Sequence, residues 1–303
     1  MSTFIQGIVG TPVTPFTSQN RVDGAALQRL VDFLIHHGAH AIGLPMHIGE
    51  SISMSVEERR EVTRSAVEAA AGRVPVFVNT SLSGTDEVVA LSLHAQSSGA
   101  KGVVVISPYH WQPARPALVD HFFTIAGAVD ISLVAYNFPE RLGVTLTPDI
   151  VVELIGRCPN FVGLKDASFN MEYFTEVCRQ TAEARPGFAV FTGVEYFVPG
   201  MALGGAGAFS AVGGVAPRLV KAVYDACAAK EFERARPLQY KLSRLYHLIK
   251  VDYPAGIKAA MEIMGRSMGK TRKPIPPLDA DAMKRMRAEM EKIGTLAEEP
   301  HGW

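Results

Sequence analysis

Residues 161–167 read FVGLKDA, a short apolar run that carries one lysine close to its end. Apolar runs of this length are typical of strands that are covered on both faces, as in a parallel sheet. Seven other runs of the same character occur in the chain: IQGIVGTPV from Ile5, AIGLPM from Ala41, VPVFVNT from Val74, GVVVISP from Gly102, ISLVAYNF from Ile131, AVFTGV from Ala189 and GAFSAV from Gly207. The sequence therefore predicts eight buried strands.

Longer segments with helical periodicity lie between these runs. They include GAALQRLVDFLIHHG from Gly24, SVEERREVTRSAVEAAAG from Ser55 and TDEVVALSLHAQSSG from Thr85, which begin near capping residues and end at glycine. Strands that alternate with helices predict a parallel sheet. Eight such units in about 230 residues fit a (β/α)8 TIM barrel better than the alternative, an open doubly wound sheet.

The strand pattern stops near residue 231, and helical periodicity alone continues. The segments are RPLQYKLSRLYHLIKV from Arg236, PAGIKAAMEIMG from Pro254 and DADAMKRMRAEMEKIG from Asp279. We expect residues 1–230 to form the catalytic barrel and residues 231–303 a helical appendage packed on it, because no low-complexity linker separates them. The last residues, EEPHGW, are expected to fray.

Composition restricts the class of protein. The chain has 303 residues, 48% of them hydrophobic, which is enough for a large core. Lys and Arg total 30, as do Asp and Glu, so no net charge attracts nucleic acid or an anionic membrane. No apolar stretch is long enough to span a membrane, and MSTFIQGIVGTP lacks the pattern of an export signal. We expect a cytoplasmic protein that binds neither nucleic acid nor membrane.

Two cofactor classes are also disfavoured. Cys158, Cys178 and Cys227 lack the close spacing of a zinc site or a redox pair, and we expect them to be reduced. No G-x-G-x-x-G sequence opens the first helix, which argues against a nicotinamide enzyme.

Lys165 is the first candidate for chemistry, because active sites of such barrels lie at the carboxyl ends of the strands. Burial there lowers the pKa of the amine, and a neutral amine attacks a ketone carbonyl. The resulting iminium withdraws electrons, so that a neighbouring C–C bond can form or break. Tyr136, which ends the fifth run, is suited to proton transfer because a phenol both donates and accepts. The alternatives are that Lys165 pairs with Asp166 and that Tyr136 packs in the core.

Several motifs together resemble the dihydrodipicolinate synthase and N-acetylneuraminate lyase family over nearly the whole chain. In chain order they are TPVTPF from Thr11, GES from Gly49, SPYHWQP from Ser107, YNFPERLG from Tyr136, GLKDAS from Gly163, FTGVEYF from Phe191, GAGAFSAVGGVAP from Gly205 and DYPAGIKAAM from Asp252. The resemblance implies that Lys165 forms a Schiff base with pyruvate or a related 2-oxo acid and that Tyr136 transfers protons. It implies no metal and no organic cofactor, and it implies a homotetramer built as a dimer of dimers.

The resemblance also implies a binding site for the 2-oxo acid. Backbone amides near Ile48 and Gly49 would hold its carboxylate, and Gly193 and the carbonyl of Phe209 would line the site. Arg141 stands where dihydrodipicolinate synthases carry an arginine that binds the carboxylate of the second substrate, and sialic acid lyases lack this arginine. The alternative for Arg141 is a solvated surface charge.

Three positions, in two segments, depart from the family pattern. Many members carry two hydroxyl residues before Gly-Glu in the second-strand loop, where this chain has His47 and Ile48. The second tyrosine of the Pro-Tyr-Tyr segment is replaced by His110, whereas Tyr109 matches the first. We hypothesise that the two histidines form a compensating acid/base pair. The alternative is that His47 fills space and that His110 packs on Trp111 at a subunit contact.

The leading functional prediction is a Schiff-base lyase or aldolase that joins or releases an aldehyde and a small 2-oxo acid. One alternative is 4-hydroxy-tetrahydrodipicolinate synthase, favoured by Arg141 and weakened by His47, Ile48 and His110. Another is a 2-keto-3-deoxy sugar acid dehydratase or hydratase, which would use the same iminium. An alternative of another class is a catalytically silent barrel that only binds 2-oxo acids.

Overall fold

The fold, taken from a computed structural model that describes residues 5–303, is a closed barrel of eight parallel strands in sequential order. The strands are β1 Gly7–Gly10, β2 Ala41–Leu44, β3 Val76–Asn79, β4 Gly102–Ile106, β5 Ser132–Asn137, β6 Phe161–Asp166, β7 Ala189–Thr192 and β8 Gly207–Ser210. Each strand lies within one of the predicted apolar runs. The closed order confirms the predicted TIM barrel and excludes the open sheet.

Helices surround the barrel and follow its strands. They are α1 Gly24–His36, α2 Val56–Ala70, α3 Thr85–Ser97, α4 Arg115–Ala128, α5 Pro139–Leu142, α6 Pro148–Arg157, α7 Met171–Ala184, α8 Phe197–Ala202 and α9 Pro217–Ala228. Short 3-10 turns at His47–Gly49, Ser51–Ser53 and Val212–Gly214 follow β2 and β8. Local signals set the helix ends, as at α2, where Ser55 and Glu58 form a reciprocal capping box.

Large side chains fill the barrel interior, and Tyr136 and Lys165 lie near the carboxyl ends of their strands. Phe77, Phe161, Phe191 and Phe209 are all fully buried, and the rings of Phe191 and Phe209 meet edge to face at 5.4 Å. Tyr136 of β5 is in register with Lys165 of β6, which in turn pairs with Phe191 of β7. Neighbours in register point to the same face, so the sheet itself sets Tyr136 beside Lys165.

The C-terminal region is helical, as the periodicity predicted. Its helices are α10 Phe232–Ile249, α11 Ala255–Ile263, α12 Ala280–Ile293 and α13 Thr295–Glu298. They share the hydrophobic core of the barrel through side chains such as Leu242, Ile257 and Met290. No helix among the described residues is long and apolar enough to cross a membrane.

The expectation of a frayed tail was wrong. Arg266 is fully buried, lies over the ring of Phe33, and donates to the carbonyls of Pro300 at 2.8 Å and Gly302 at 2.6 Å. The Gly302 N–H in turn donates to the carbonyl of Met264 at 2.8 Å. The tail is held because a buried guanidinium requires acceptors, and these backbone carbonyls supply them.

Candidate active site

A cavity of about 750 Å³ opens at the carboxyl ends of the strands. This is where barrels of this type carry their active sites, and the volume is in the usual range for small-molecule sites. Seven of the ten site residues predicted from the sequence line it: Lys165, Tyr136, His47, Ile48, Tyr109, Arg141 and Gly193.

Lys165 lies on the floor of this cavity and is only 4% exposed. Its Nζ is 3.7 Å from the centroid of the Tyr136 ring and 5.1 Å from that of Phe209. Burial lowers the pKa of its amine to about 7, which the negative charge of Glu195 only partly opposes. Within residues 5–303 the amine has no ion-pair partner, so a large neutral fraction exists near pH 7.

The alternative that Lys165 pairs with Asp166 does not hold. Consecutive strand residues point to opposite faces, which takes the Asp166 carboxylate away from the cavity. That carboxylate accepts hydrogen bonds from Asn137 Nδ2 at 2.8 Å and from Ser168 Oγ at 2.9 Å. The Asp166 carboxylate therefore has its hydrogen-bond partners on the face of the sheet opposite the cavity, and it does not pair with Lys165.

Tyr136 is buried and its ring stacks on Phe138, with 5.7 Å between centroids and 12° between planes. Burial raises the pKa of its phenol well above the ordinary value. The hydroxyl therefore stays protonated at neutral pH, in the form that can give a proton and accept one in the same step.

His47 lines the cavity between two aromatic rings. Its Nε2 lies 2.9 Å from the Tyr109 hydroxyl, and its ring centroid is 5.5 Å from that of Tyr136. Burial, together with the positive charges of Lys165, Arg59 and Arg141, lowers the pKa of the imidazole to about 3. His47 is thus neutral at physiological pH. Its Nδ1 is buried and has no hydrogen-bond partner within the described chain.

A hydrogen-bond network fixes the start of the loop that carries His47. Arg59 of α2 is buried and donates to the carbonyls of Ser81 at 2.8 Å and Asn79 at 2.7 Å. The Asn79 amide holds the Pro45 carbonyl at 2.9 Å, just before His47. The ends of β2 and β3 are thereby tied together, which sets the position of the His47 ring.

The second-strand loop leaves the backbone amide of Ile48 free. The Gly49 N–H donates to the Met46 carbonyl at 2.9 Å, and the Gly49 carbonyl accepts from Thr14 Oγ1 at 2.6 Å. No partner for the Ile48 N–H occurs among residues 5–303. Of the two amides predicted to hold a carboxylate, only that of Ile48 is available.

Glu50, the next residue, holds this loop in place through two contacts of its carboxylate. Its carboxylate lies 2.7 Å from Lys258 Nζ and accepts from the Arg272 N–H at 2.7 Å. Both partners belong to the C-terminal region. Glu50 has φ +57°, a conformation that the two bonds hold in place.

Three predicted residues lie off the cavity wall. His110 is exposed, and its ring contacts that of Trp111 at 5.2 Å, so this chain does not bring its two histidines together. Phe209 lies beneath Lys165 as packing, and Gly49 has its amide occupied. Gly193, by contrast, lines the cavity at a close approach, since a Cβ there would meet that of Ala167 at 2.6 Å.

Sequence reasoning missed residues that shape the site. Glu195 accepts from Ser210 Oγ at 2.9 Å and from the Val212 N–H at 2.6 Å, which fixes the loop after β8. It lies within FTGVEYF, where an acidic residue after a strand was the available signal. Phe138 and Phe169 also line the cavity. The available signal was an aromatic residue in the loop that follows a strand, β5 for Phe138 and β6 for Phe169.

Comparisons with known proteins agree along the whole chain. A sequence model described as "Dihydrodipicolinate synthetase family" matches residues 4–293. A 4-hydroxy-tetrahydrodipicolinate synthase of Methanoculleus marisnigri is 36% identical over 293 residues, which cover 95% of this chain and 99% of that protein.

Two solved structures are similar in fold and in sequence. Dihydrodipicolinate synthase of Aquifex aeolicus superposes with a TM-score of 0.91 at 32% identity, covering 96% of this chain and 99% of that one. YagE, an Escherichia coli K12 prophage protein of the dihydrodipicolinic acid synthase family, was solved in complex with pyruvate. It superposes with a TM-score of 0.92 at 29% identity, covering 97% of this chain and 100% of that one.

Proposed function

Because the chain belongs to the dihydrodipicolinate synthetase family, we propose that Lys165 is the residue with which it forms a Schiff base to pyruvate or a related 2-oxo acid. The protein is a class I lyase, which makes or breaks a C–C bond through a lysine iminium. The observation that carries the assignment of Lys165 is its buried, unpaired amine at the cavity floor, with a pKa lowered to about 7.

The arrangement supports a complete sequence of steps. The neutral Lys165 amine adds to the ketone carbon, and the carbinolamine oxygen takes a proton and leaves as water to give the iminium. Loss of a proton from the methyl carbon gives the enamine, whose carbon adds to an aldehyde. Water then releases the product and restores the amine. Tyr136, beside Lys165, is positioned to carry protons to and from these oxygens.

His47 and Tyr109 extend this path. A neutral imidazole accepts a proton at one nitrogen while it donates from the other, so it passes protons without becoming an imidazolium. Its Nε2 contact with Tyr109 at 2.9 Å and its proximity to Tyr136 support that role. His110 is exposed and does not line the cavity, so within one chain we assign this role to His47 alone.

The carboxylate of the 2-oxo acid is assigned to the amide of Ile48, which is free and lines the cavity. Gly193 is assigned to the wall of the 2-oxo acid site, since it lines the cavity and its lack of a side chain permits the close approach to Ala167. Arg141 lines the cavity without an ion pair among the described residues and is assigned to an acidic group of the second reactant.

A second candidate function is 4-hydroxy-tetrahydrodipicolinate synthase, which is the name of the relatives above. Arg141 favours it, and His47 in place of a hydroxyl residue weakens it. Cytoplasmic location, the homotetramer, the use of an aldehyde and the division of the chain at residue 230 stay predictions. Size-exclusion chromatography with light scattering tests the tetramer.

Reductive trapping tests the central assignment. The protein is incubated with pyruvate and sodium borohydride, and peptide mapping locates the adduct. We expect one adduct on Lys165 in the wild-type protein and none in Lys165→Met. An adduct elsewhere would move the Schiff base. No adduct with pyruvate or longer 2-oxo acids would leave a silent binding barrel.

A further inference from the structure

Aromatic rings make up much of the cavity wall. Besides Tyr109 and Tyr136, the rings of Phe138, Phe169, Tyr196, Tyr246 and Tyr253 line it, and we call the part that these five line the outer cavity. Ile52, Leu142 and Ile275 are among the apolar residues of the wall. This surface is much larger than a methyl or hydroxymethyl group needs, and flat apolar surface of this kind favours flat apolar ligands.

Phe169 is the most unusual of these residues. Its backbone is left-handed, with φ +55°, a region that favours glycine and strains a bulky residue. Its side chain is nevertheless 47% exposed, and its ring meets Tyr196 edge to face at 5.9 Å and 82°. Strain retained to present an aromatic ring to an open cavity points to a binding role.

The polar groups of the wall do not suit a polyhydroxylated partner. No Asn, Gln or Asp side chain lines the cavity among residues 5–303. The Thr11 hydroxyl, which does line it, already donates to the Ser210 carbonyl at 2.6 Å. A sugar-like aldehyde would lose water from several hydroxyls and would find no side-chain amide and, apart from Glu140, no unpaired carboxylate among the described lining residues to replace it.

The charges of the outer cavity are positive in excess. Arg141 and Lys250 line it, and neither forms an ion pair in the part of the chain that the structure describes. Of the two acidic lining residues, Glu50 is held by Lys258 at 2.7 Å, which leaves Glu140. An acidic group on the ligand would find an unpaired cation there.

We propose that the outer cavity binds an aldehyde with an aromatic ring and an acidic substituent, with Phe169 and Tyr196 contacting the ring and Arg141 the acid. The proposal rests on the proposed function, in which Lys165 holds pyruvate. The enamine carbon bonds to the aldehyde carbon, the aldehyde oxygen takes a proton, and water releases the product from Lys165. The reverse sequence releases the same aldehyde.

The test is a set of matched aldehydes offered to the intact protein with pyruvate. They are 4-carboxybenzaldehyde, benzaldehyde and D-glyceraldehyde, and kcat/KM is measured for each by product formation. We expect 4-carboxybenzaldehyde to exceed D-glyceraldehyde by at least about tenfold, with benzaldehyde between them. Equal or better use of D-glyceraldehyde would overturn the proposal.

Variants assign the preference to residues. Phe169→Gly relieves the strained backbone and removes the ring, so it should lower the kcat/KM ratio of benzaldehyde to D-glyceraldehyde by about fivefold to tenfold. Arg141→Leu should remove the advantage of 4-carboxybenzaldehyde over benzaldehyde. Tyr240→Ala removes an aromatic side chain, 67% exposed, that does not line the cavity, and should leave every ratio unchanged. An unchanged ratio in Phe169→Gly would contradict the role of the ring.

Borohydride trapping with pyruvate alone separates this proposal from the proposed function. An adduct on Lys165 without preference for the aromatic aldehydes refutes only the inference about the outer cavity. Absence of the adduct refutes the proposed function, and the inference falls with it.

Discussion

Two lysines of this protein are buried to a similar extent, but only one of them has a carboxylate partner. Lys165, on the cavity floor, is 4% exposed, and Lys258 of α11, at the seam with the second-strand loop, is 5% exposed. Each Nζ lies over an aromatic ring, 3.7 Å from the centroid of Tyr136 and 4.4 Å from that of Phe16. Only Lys258 has a carboxylate, that of Glu50, at 2.7 Å.

The difference separates a structural lysine from the one that we propose to be reactive. Burial lowers the pKa of both amines, and at Lys258 the charge of Glu50 opposes that effect and stabilises the ammonium. At Lys165 the compensation is weak, and the neutral nucleophile is accessible near pH 7. The fold therefore pairs the buried charge of Lys258, where two regions meet, and leaves the amine of Lys165 unpaired at the proposed reacting position.

The largest expected effect is on stability and falls on the paired lysine. Lys258→Met should lower the free energy of unfolding by about 3–5 kcal/mol, because it leaves the Glu50 carboxylate buried without its cation. Lys165→Met should not destabilise the protein, since it removes a poorly compensated buried amine. Urea unfolding of both variants measures the difference.

The double variant Lys258→Met/Glu50→Gln is the control for that experiment. The amide oxygen can still accept from the Arg272 N–H, and no charge is left unpaired, so most of the stability should return. Equal losses in Lys165→Met and Lys258→Met would mean that burial alone, and not pairing, distinguishes the two lysines.

A smaller effect, on turnover, is expected from substitution of His47, whose pKa is lowered by burial and by the nearby Lys165. His47→Ala should lower kcat by about 10²-fold while borohydride trapping on Lys165 persists, because only the proton path is lost. Tyr109→Phe removes the same hydrogen bond from the other side and should act in the same direction. Wild-type turnover in His47→Ala would end the relay proposal.

The barrel could be predicted from sequence because burial on both faces gives each strand its own apolar signature. FVGLKDA and ISLVAYNF locate β6 and β5, and the register then places Tyr136 beside Lys165. These are local patterns joined by a regular sheet, which is why they transfer from sequence to structure.

Partners distant in the chain could not be predicted in this way. Glu50 and Lys258 pair across 208 positions, 258 minus 50, and neither sequence context identifies the other. The left-handed Phe169 and the tail bound by Arg266 likewise depend on packing and not on local propensity. In sequence, His110 and His47 both replace a hydroxyl-bearing family residue in a loop after a strand, but in the structure His110 is exposed.

The smallest expected effect, and the most direct comparison of the two lysines, is their titration. Competitive acetylation with acetic anhydride labels only neutral amines, and peptide mass spectrometry follows every lysine in one sample across pH 5.5 to 9. With a pKa of about 7, Lys165 should be roughly one tenth neutral at pH 6 and nine tenths at pH 8, so its labelling should level off above pH 8.

Nα-acetyl-lysine amide, added to the same sample, is the reference for that titration. Its labelling should keep rising by about tenfold per pH unit up to pH 9, because an unperturbed lysine has a pKa near 10.4. Lys258 should label slowly throughout, since Glu50 holds its ammonium and the side chain is enclosed. If the labelling of Lys165 instead rises in parallel with that of the reference amine, the Lys165 amine is charged at neutral pH, and the contrast between the two buried lysines lies in access to the cavity alone.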